Sequence, residues 1–400
     1  MNPSWLCIAC LSLATPALAE SHYGPGVTDT EIRIGNTNPY SGNVSAAGQI
    51  GRAEAAYYQM INDQGGVNGR KITFLSLDDG YSPPKTVELT RQLVERDQVL
   101  LIAASLGTPT NLAIHRYLNQ KQVPQLFVSS GDSRWADPQH FPWTMGWQPS
   151  YRIEGSVYAK HMLATVKDPK VAVLRQNDDL GLDFLNGFMQ GLGPANQGIV
   201  IRIATYETTD PTVDSQVIEL RGSGANVFFN IATQKFGALA IRKVGELDWH
   251  PTQYVISINA SIGATIRPAG LANAQGIITA DYKKDVTDPR WADDPEFVTW
   301  KAWMEKYNTA GNVADISNVI GYSIAFSVVQ VLQMCGDDLT RENVMRQAES
   351  LHGLRVPMLL PGIKLNTSPT DFRPIKSVHL QRFEGEHWVP FGELMTPDPD

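Results

Sequence analysis

The sequence lacks several features that mark nucleic-acid-binding, metal-binding and nucleotide-binding proteins. Lysine and arginine form no long run and the net charge is −8, whereas nucleic acids and anionic membranes select basic patches. The eight histidines are scattered singly, without the spacing of metal ligands. No glycine-rich phosphate loop or complete dinucleotide fingerprint follows a predicted strand. These absences predict a protein with no nucleic-acid partner, no metal and no other cofactor.

Cysteine is also scarce, with three residues in 400. Cys7 and Cys10 lie in an apolar N-terminal stretch that ends in Ala-Leu-Ala at 17–19, the pattern of a signal-peptide cleavage site. Loss of residues 1–19 would leave Cys335, so the mature chain could form no internal disulfide. Cys335 ends an apolar helical pattern without a flanking histidine or basic cluster, which predicts a packed thiol rather than a reactive one.

The N-terminal stretch therefore predicts a signal peptide and export. The alternatives are a membrane anchor and lipid attachment at Cys10. The stretch is shorter than the ~20 residues that a membrane span needs, and it leaves little room ahead of Cys10. Because no other long apolar run occurs, we expect the mature protein to be soluble and exported.

The rest of the chain alternates strands and helices in two series of the same order. Continuous Val/Ile/Leu runs, such as VLLIAAS (99–105), are typical of parallel strands covered by helices on both faces. The pattern predicts an α/β fold of two lobes, each a parallel sheet flanked by helices. A segment rich in tryptophan, FPWTMGWQPSY (141–151), is the predicted crossover between them. QYVISINAS (253–261) is predicted as a strand of the second series.

The chain after residue 282 predicts three helices followed by three short strands, GIKLN, SVHLQRF and HWVPFG. This tail is too mixed for one further domain, so we expect it to complete both lobes. The predicted boundaries are 28–147 plus 281–358 for the first lobe and 148–280 plus 359–395 for the second.

FVSSGDSRW (127–135) poses the question of a serine nucleophile at a strand end. A nucleophile elbow needs Gly-x-Ser-x-Gly, but Ser129 and Ser130 lack the leading glycine, and Ser323 lies within a helical pattern. A secreted serine hydrolase is therefore a disfavoured alternative, and we expect a protein that is not an enzyme. Two acid pairs follow strands and are predicted to form turns and helix caps: Asp78-Asp79 and Asp178-Asp179.

Several segments, in order, resemble the periplasmic solute-binding proteins of the branched-chain amino-acid type. The opening segment has the family's Pro-x-Ser-Gly at 39–42 and Asn-x-x-Gly-Gly-x-x-Gly at 62–69. VAVLRQNDDLGLDFLNGF matches the opening of the second lobe, and YNTAGNVADISNVIGYSIAF matches a later segment. The resemblance covers roughly the whole mature chain.

The resemblance implies a type I periplasmic-binding fold, with two lobes joined by three hinge crossovers and a small ligand in the cleft. It implies a periplasmic component of an ABC uptake transporter that delivers the ligand to membrane permease and ATPase subunits. A ligand-sensing periplasmic receptor domain is the alternative, because the same cleft serves both.

The resemblance also implies ligand contacts. Hydroxyl and amide groups at 105–108 and 129–131 are expected to hold a carboxylate, aromatic residues to line the cleft, and second-lobe amides to fix the far end of the ligand. The candidate residues are Tyr40, Ser105, Thr108, Ser129, Ser130, Gly131, Trp147, Tyr151, Thr233, Gln234, Asn259 and Asp281.

One loop departs from the family pattern. SINASIG (257–263) has Ile258 and Asn259 near the position of the acid that holds an amino acid's ammonium group, and Leu180 replaces the usual tyrosine. Burying an ammonium without a carboxylate is costly. Asp178 or Asp281 is a candidate replacement for the missing acid. The ligand is thus an amino acid, the family default, or an organic or aromatic acid without an ammonium group, which fits this loop better.

Overall fold

The computed structural model describes residues 22–397. The predicted signal peptide, with Cys7 and Cys10, lies outside this range. Cys335 is a buried free cysteine, which confirms the packed thiol. Across the described residues, no helix has both the length and the apolar character that a membrane crossing requires.

The strands and helices alternate along most of the chain. The strands of the described residues are β1 His22–Tyr23, β2 Glu31–Asn38, β3 Lys71–Asp78, β4 Leu101–Ala103, β5 Gln125–Val128, β6 Thr144–Gly146, β7 Val171–Gln176, β8 Val200–Tyr206, β9 Val227–Ile231, β10 Thr252–Val255, β11 Ile278–Asp281, β12 Asp338–Leu339, β13 His379–Glu384 and β14 His387–Pro390. The α-helices are α1 Gln49–Asp63, α2 Pro83–Arg91, α3 Thr108–Gln120, α4 Tyr151–Thr165, α5 Asp179–Leu192, α6 Asp214–Gly222, α7 Gln234–Glu246, α8 Arg267–Ala269, α9 Pro295–Tyr307, α10 Ser317–Met334 and α11 Arg341–Ala348.

Two main sheets organise these strands. The first is parallel, in the order β3-β2-β4-β5-β6. The second has the order β14-β13-β11-β10-β9-β7-β8, and its two C-terminal strands, β13 and β14, are antiparallel to their neighbours. β1 and β12 form a separate parallel pair. We call the five-stranded sheet with its core lobe 1, and the seven-stranded sheet with its cores lobe 2.

The apolar runs explain why these strands are central. Every residue of β5 and β9 is buried, as expected where helices cover both faces of a parallel sheet. The acid pairs act as predicted, in turns and caps. Asp178 accepts a hydrogen bond from the amide of Gly181 at the start of α5, and Asp79 accepts one from the amide of Tyr81.

The structure corrects two predicted strands. GIKLN, at 362–366, is a loop in which Leu365 forms an isolated bridge with Leu354, because the amides of Ile363 and Asn366 donate to the carbonyls of Leu360 and Pro374 rather than to a sheet strand. The strand predicted at 253–261 ends at Val255 and gives way to a 3-10 helix, Ser257–Ala260. The amide of Ser257, the first residue of this helix, donates a hydrogen bond to the Glu154 carboxylate instead of to a neighbouring strand.

The chain passes three times between the lobes. It leaves lobe 1 after β6 and enters lobe 2 at α4, and it returns after β11, where Tyr282 joins the core of lobe 1. Apolar side chains between 359 and 375 also pack into the core of lobe 1 before β13 joins the second sheet.

Candidate functional site

The candidate site is a pocket where the carboxyl ends of strands from both sheets face each other. Chain segments that follow β4 and β5 of lobe 1 meet segments that follow β9 and β10 of lobe 2. In open α/β sheets this edge is the usual place for a ligand, because every parallel strand ends there and the loops converge.

The space between the walls of the pocket is about 690 Å³, which includes space open to solvent. Most of its wall is apolar. Its lining residues are Asn43, Val44, Ala46, Ala47, Ile50, Tyr81, Leu106, Gly107, Ser129, Gln148, Tyr151, Leu180, Thr233, Gln234, Lys235, Ile258, Ile316, Ser317 and Ile320.

The charge of this lining is one-sided. Among the lining residues that the structure describes, Lys235 is the one with a charged side chain, and no lining residue is acidic. Lys235 Nζ donates a hydrogen bond to Asn43 Oδ1 at 2.9 Å. An anion in the pocket would therefore meet a cation, whereas a cation would meet no opposite charge.

Two helices begin at the pocket without a side-chain cap. Gly107 precedes α3 and Thr233 precedes α7, and neither position has a side-chain cap hydrogen bond. The first N–H groups of a helix have no partner within the helix, and the helix dipole places partial positive charge there. Both helix starts thus favour an anionic group on the ligand.

Gly107 has a backbone conformation that only glycine adopts readily, with φ 104° and ψ 150°. A Cβ at this position would lie 2.5 Å from Cε2 of Tyr81 and 2.6 Å from Oγ1 of Thr110. Tyr81 itself has a positive φ of 63° and is buried in the pocket wall. The glycine lets the Tyr81 ring lie directly against the start of α3.

Hydrogen bonds close the two lobes over the pocket. Gln234 Nε2 donates to Ser317 Oγ at 3.3 Å, and Asn43 Nδ2 donates to the carbonyl of Thr208 at 2.8 Å. Next to Ser317, Asp315 Oδ1 accepts a hydrogen bond from Ser261 Oγ at 2.9 Å. The structure therefore represents a closed cleft.

Four of the predicted site residues line the pocket: Ser129, Tyr151, Thr233 and Gln234. The Tyr151 ring stacks on Phe184, with centroids 4.1 Å apart. Burial raises the pKa of Tyr151 to about 12, although nearby hydroxyl groups oppose the shift. Its phenol is therefore a neutral hydrogen-bonding group at physiological pH.

Four other predicted residues of lobe 1 lie behind the lining. Thr108 Oγ1 and Ser130 Oγ are 2.8 Å apart and hydrogen-bond to each other. Ser105 Oγ accepts a hydrogen bond from the amide of Thr37. Gly131 lies against the Tyr151 ring, where a Cβ would come within 2.7 Å of ring carbons. These groups support the pocket wall, but they are outside its lining.

The remaining predicted contacts also lie outside the lining. The Tyr40 phenol is 2.5 Å from Ser76 Oγ, so it bonds within lobe 1. Trp147, expected as a cleft wall, is fully buried, and its Nε1 donates to Ser327. Asn259 Nδ2 donates to the carbonyl of Ala232, which keeps this side chain inside lobe 2.

Neither candidate replacement for the missing acid faces the pocket. Asp178 caps α5 and also accepts a hydrogen bond from Gln176, and desolvation raises its pKa. Asp281 is buried beside Lys283, whose Nζ lies 2.5 Å from Oδ1. Both carboxylates have protein partners, so the geometry does not support the prediction that Asp281 contacts a ligand.

The sequence reasoning missed Tyr81, Lys235 and the α10 contacts Ile316, Ser317 and Ile320. Gly-Tyr after the acid pair at 78–79 was a signal for Tyr81, because a turn there sends its side chain toward the strand ends. Lys235 follows two predicted residues directly and could have been included. The α10 contacts gave no local signal, since they depend on the packing of α10 against α1.

The serine candidates have no catalytic partner in the described residues. Ser130 Oγ bonds to Thr108 and accepts a hydrogen bond from the amide of Asp132. Ser323 lies inside α10 and donates to the carbonyl of Pro357. Residues 22–397 contain no group of three histidine, cysteine or acidic side chains that could hold a metal ion.

Comparison with known proteins identifies the family. A model described as "Periplasmic binding protein" matches residues 31–387. The chain belongs to this periplasmic binding protein family. The resemblance drawn from the sequence segments is thereby confirmed, and the family is one of extracytoplasmic ligand-binding proteins rather than enzymes.

Relatives of this binding protein are distant in sequence. An "Amino acid binding protein" of Pseudomonas aeruginosa is 23% identical over 233 residues, which are 55% of each chain, so the match spans about half the length of that relative. A branched-chain amino-acid ABC transporter protein of Thermus thermophilus, solved with bound valine, has a TM-score of 0.83 at 16% identity, over 93% of this chain and 98% of that one.

A second solved structure has a different ligand. The solute-binding protein of an ABC transporter from R. palustris, in complex with benzoate, has a TM-score of 0.75 at 19% identity, over 92% of this chain and 97% of that one. These likenesses confirm the predicted type I periplasmic-binding fold.

Proposed function

We propose that this binding protein is the solute-binding component of an ABC uptake transporter, and that its ligand is a carboxylic acid with an apolar body and no ammonium group. The observation that carries this proposal is the lining itself. It combines apolar walls with one lysine and two uncapped helix starts, and it has no acidic side chain.

The energetics distinguish the two ligand classes. An amino acid would bring an ammonium group into a pocket without a carboxylate to pair with it. An uncompensated buried charge costs about 3–5 kcal/mol. An organic acid carries only the anionic group, for which Lys235 and the amides at the starts of α3 and α7 provide positive charge.

The apolar body of the ligand would contact Val44, Leu106, Leu180, Ile258 and Ile320, with Tyr81 and Tyr151 as flat walls. Such walls suit an aromatic ring or a branched chain. Valine and benzoate, the bound ligands of the two solved relatives, illustrate that this fold accommodates both shapes.

Delivery and export complete the proposal. Residues 1–19 act as a signal peptide, and the mature protein passes its ligand to permease and ATPase subunits in the membrane.

The hinge lies in the three crossovers, and ligand binding stabilises the closed cleft. Apolar side chains up to Ile375 pack in the core of lobe 1, and β13 of lobe 2 begins at His379. We therefore place the last crossover between these two residues rather than at residue 358, the boundary expected from the sequence.

A thermal-shift screen tests the ligand class. The mature protein is heated with benzoate, 4-methyl-2-oxopentanoate, leucine or valine. A ligand at a hundred times its dissociation constant adds about 2.7 kcal/mol of stability, which is readily measured. We expect shifts with carboxylates that lack an ammonium group. Absence of a shift with every carboxylate, or a shift with leucine and valine only, would contradict the proposal.

A further inference from the structure

Glu154 is a buried acid that lies behind the pocket, outside its lining. It occupies the first turn of α4, directly after the first crossover, and is 2% exposed. Its carboxylate accepts three hydrogen bonds. Oε1 accepts from the amide of Ser257 at 2.6 Å and from the Tyr158 phenol at 2.7 Å, and Oε2 accepts from Ser257 Oγ at 2.8 Å.

Two of these bonds fix the start of the Ser257–Ala260 turn. This short 3-10 helix has no side-chain cap of its own, because Ile256 precedes it. Glu154 supplies the missing acceptor from another helix, and it holds both the amide and the hydroxyl of the first residue. The next residue is Ile258, which forms part of the pocket wall.

The other side-chain contacts within the turn are neutral, whereas Ser261, the residue after it, donates to the carboxylate of Asp315. Asn259 Nδ2 donates to the carbonyl of Ala232, and Trp388 Nε1 donates to the carbonyl of Ala260. Hydrogen bonds to an ionised acceptor are roughly twice as strong as neutral ones. When it is ionised, Glu154 therefore contributes the strongest tether within the turn, and it acts at the end of the turn closest to Ile258.

The surroundings of Glu154 make its partners indispensable. Burial raises its pKa to about 7, and the hydrogen bonds from Tyr158 and Ser257, with the charge of Lys283, oppose this shift. The other titratable groups around it are the phenols of Tyr158 and Tyr282. A buried carboxylate without water is stable only where fixed donors surround it. The position of Ser257 and the charge of Glu154 therefore depend on each other.

We propose that Glu154 is a positioning residue of the ligand pocket, which fixes Ile258 in the pocket wall by capping the Ser257–Ala260 turn. This inference rests on the proposed function, because the capped turn forms one wall of the proposed ligand site. The family resemblance implies that an acid near position 258 would hold the ammonium group of an amino acid. In this protein the side chain at that position is apolar, Ile258, and the acid, Glu154, lies behind the loop and holds it in place.

Binding measurements with three variants and one control test this role. The probes are benzoate and 4-methyl-2-oxopentanoate, titrated by calorimetry. Glu154→Ala removes all three acceptor contacts and is expected to weaken binding at least tenfold. Glu154→Gln keeps one oxygen that accepts from the Ser257 amide, and the Ser257 hydroxyl can rotate to accept from the new amide group. It should bind within about threefold of the natural protein.

The control variant is Glu296→Ala. Glu296 is also a glutamate with several partners, Lys284 and Arg355 among them, but it lies in lobe 1 outside the pocket lining. It should lower thermal stability and leave binding unchanged. If Glu154→Ala behaves in the same way, with stability reduced and affinity intact, Glu154 has only a structural role and the inference is wrong.

Hydrogen exchange of the ligand-free protein separates this inference from the proposed function. Amides in the segment 256–263 should exchange at least tenfold faster in Glu154→Ala, while those of β2 are unchanged and Glu154→Gln stays protected. If the natural protein binds neither probe, the ligand proposal fails, yet the exchange result still tests the cap. Unchanged exchange in Glu154→Ala overturns the inference, whatever the ligand.

Ser257→Ala provides a further test, including for the case in which Glu154→Ala does not fold. It removes the hydroxyl bond to Glu154 and keeps the backbone bond. We expect intermediate losses of affinity and of protection in 256–263. Natural-protein values for both quantities in Ser257→Ala would overturn the proposal.

Discussion

Replacing Lys235 by methionine removes the one charged side chain from the described pocket lining while keeping a side chain of similar length. If the ligand is an anion, this change should weaken its binding. Lys235 also donates to Asn43, which itself bonds to the carbonyl of Thr208. The substitution therefore removes both an attraction to the ligand and one link between the lobes.

The magnitude follows from the half-buried position of Lys235. Two unit charges 4 Å apart attract by about 4 kcal/mol at an effective dielectric constant of 20, whereas exposed ion pairs contribute about 0–1 kcal/mol. A half-buried lysine lies between these limits, so we expect a loss of about 1–2 kcal/mol. This corresponds to a roughly fivefold to thirtyfold rise in Kd.

Calorimetric titration with benzoate at low and moderate salt measures this effect. Lys235→Arg keeps the charge and should retain most of the affinity. Lys243→Met is the matched control, because Lys243 lies on the same helix but pairs with Asp214 outside the pocket. Binding by Lys235→Met within twofold of the natural protein, or equal losses in Lys243→Met, would refute the reasoning.

Three further predictions concern stability and reactivity. Gly107→Ala should lower the free energy of unfolding by about 1–3 kcal/mol in urea titrations, because only glycine readily adopts the backbone conformation at 107. Gly198→Ala is the control and should not lower it, because the added Cβ meets nothing within 4 Å. Burial raises the pKa of Cys335 to about 12, so a thiol reagent at pH 8 should modify the mature protein slowly until it is denatured. Burial, assisted by Arg134, lowers the pKa of His115 from 6.5 to about 4, so the unfolded chain binds its proton first on acidification. Stability that is present above pH 6.5 should be lost as the pH falls toward 4, and the loss should be smaller in His115→Gln; a titration midpoint near 6.5 by NMR would contradict this.

The fold could be predicted from the sequence because its signals are local and repeated. Buried parallel strands are continuous apolar runs, as in β4, and the strand ends carry the polar residues that meet at one edge. Ser129 follows β5 directly, and Thr233 and Gln234 come two and three residues after β9, so strand order alone places them at this edge of the sheets. The position of Tyr151 could be predicted in a similar way, because it is the first residue of α4, directly after a crossover.

The rest of the site depends on contacts that strand order does not encode. Ile320 reaches the pocket because α10 packs on α1, far away in sequence. Thr108 and Ser130 have hydroxyl groups at the edge of the sheet where the pocket lies, but these hydroxyls bond to each other and lie behind the lining. The strand predicted through Ser257 ends early because Glu154, about a hundred residues earlier, accepts a hydrogen bond from the amide of Ser257. Side-chain partners of this kind become visible only in three dimensions.

The most direct test of the ligand class compares leucine with 4-methyl-2-oxopentanoate, which share the branched chain and the carboxylate and differ at the ammonium group. Both are titrated into the same mature protein by calorimetry. The account predicts that the oxo acid binds and that leucine binds at least a hundredfold more weakly, since an unpaired buried charge costs about 3 kcal/mol or more. Leucine binding as tightly as the oxo acid, or more tightly, would contradict it.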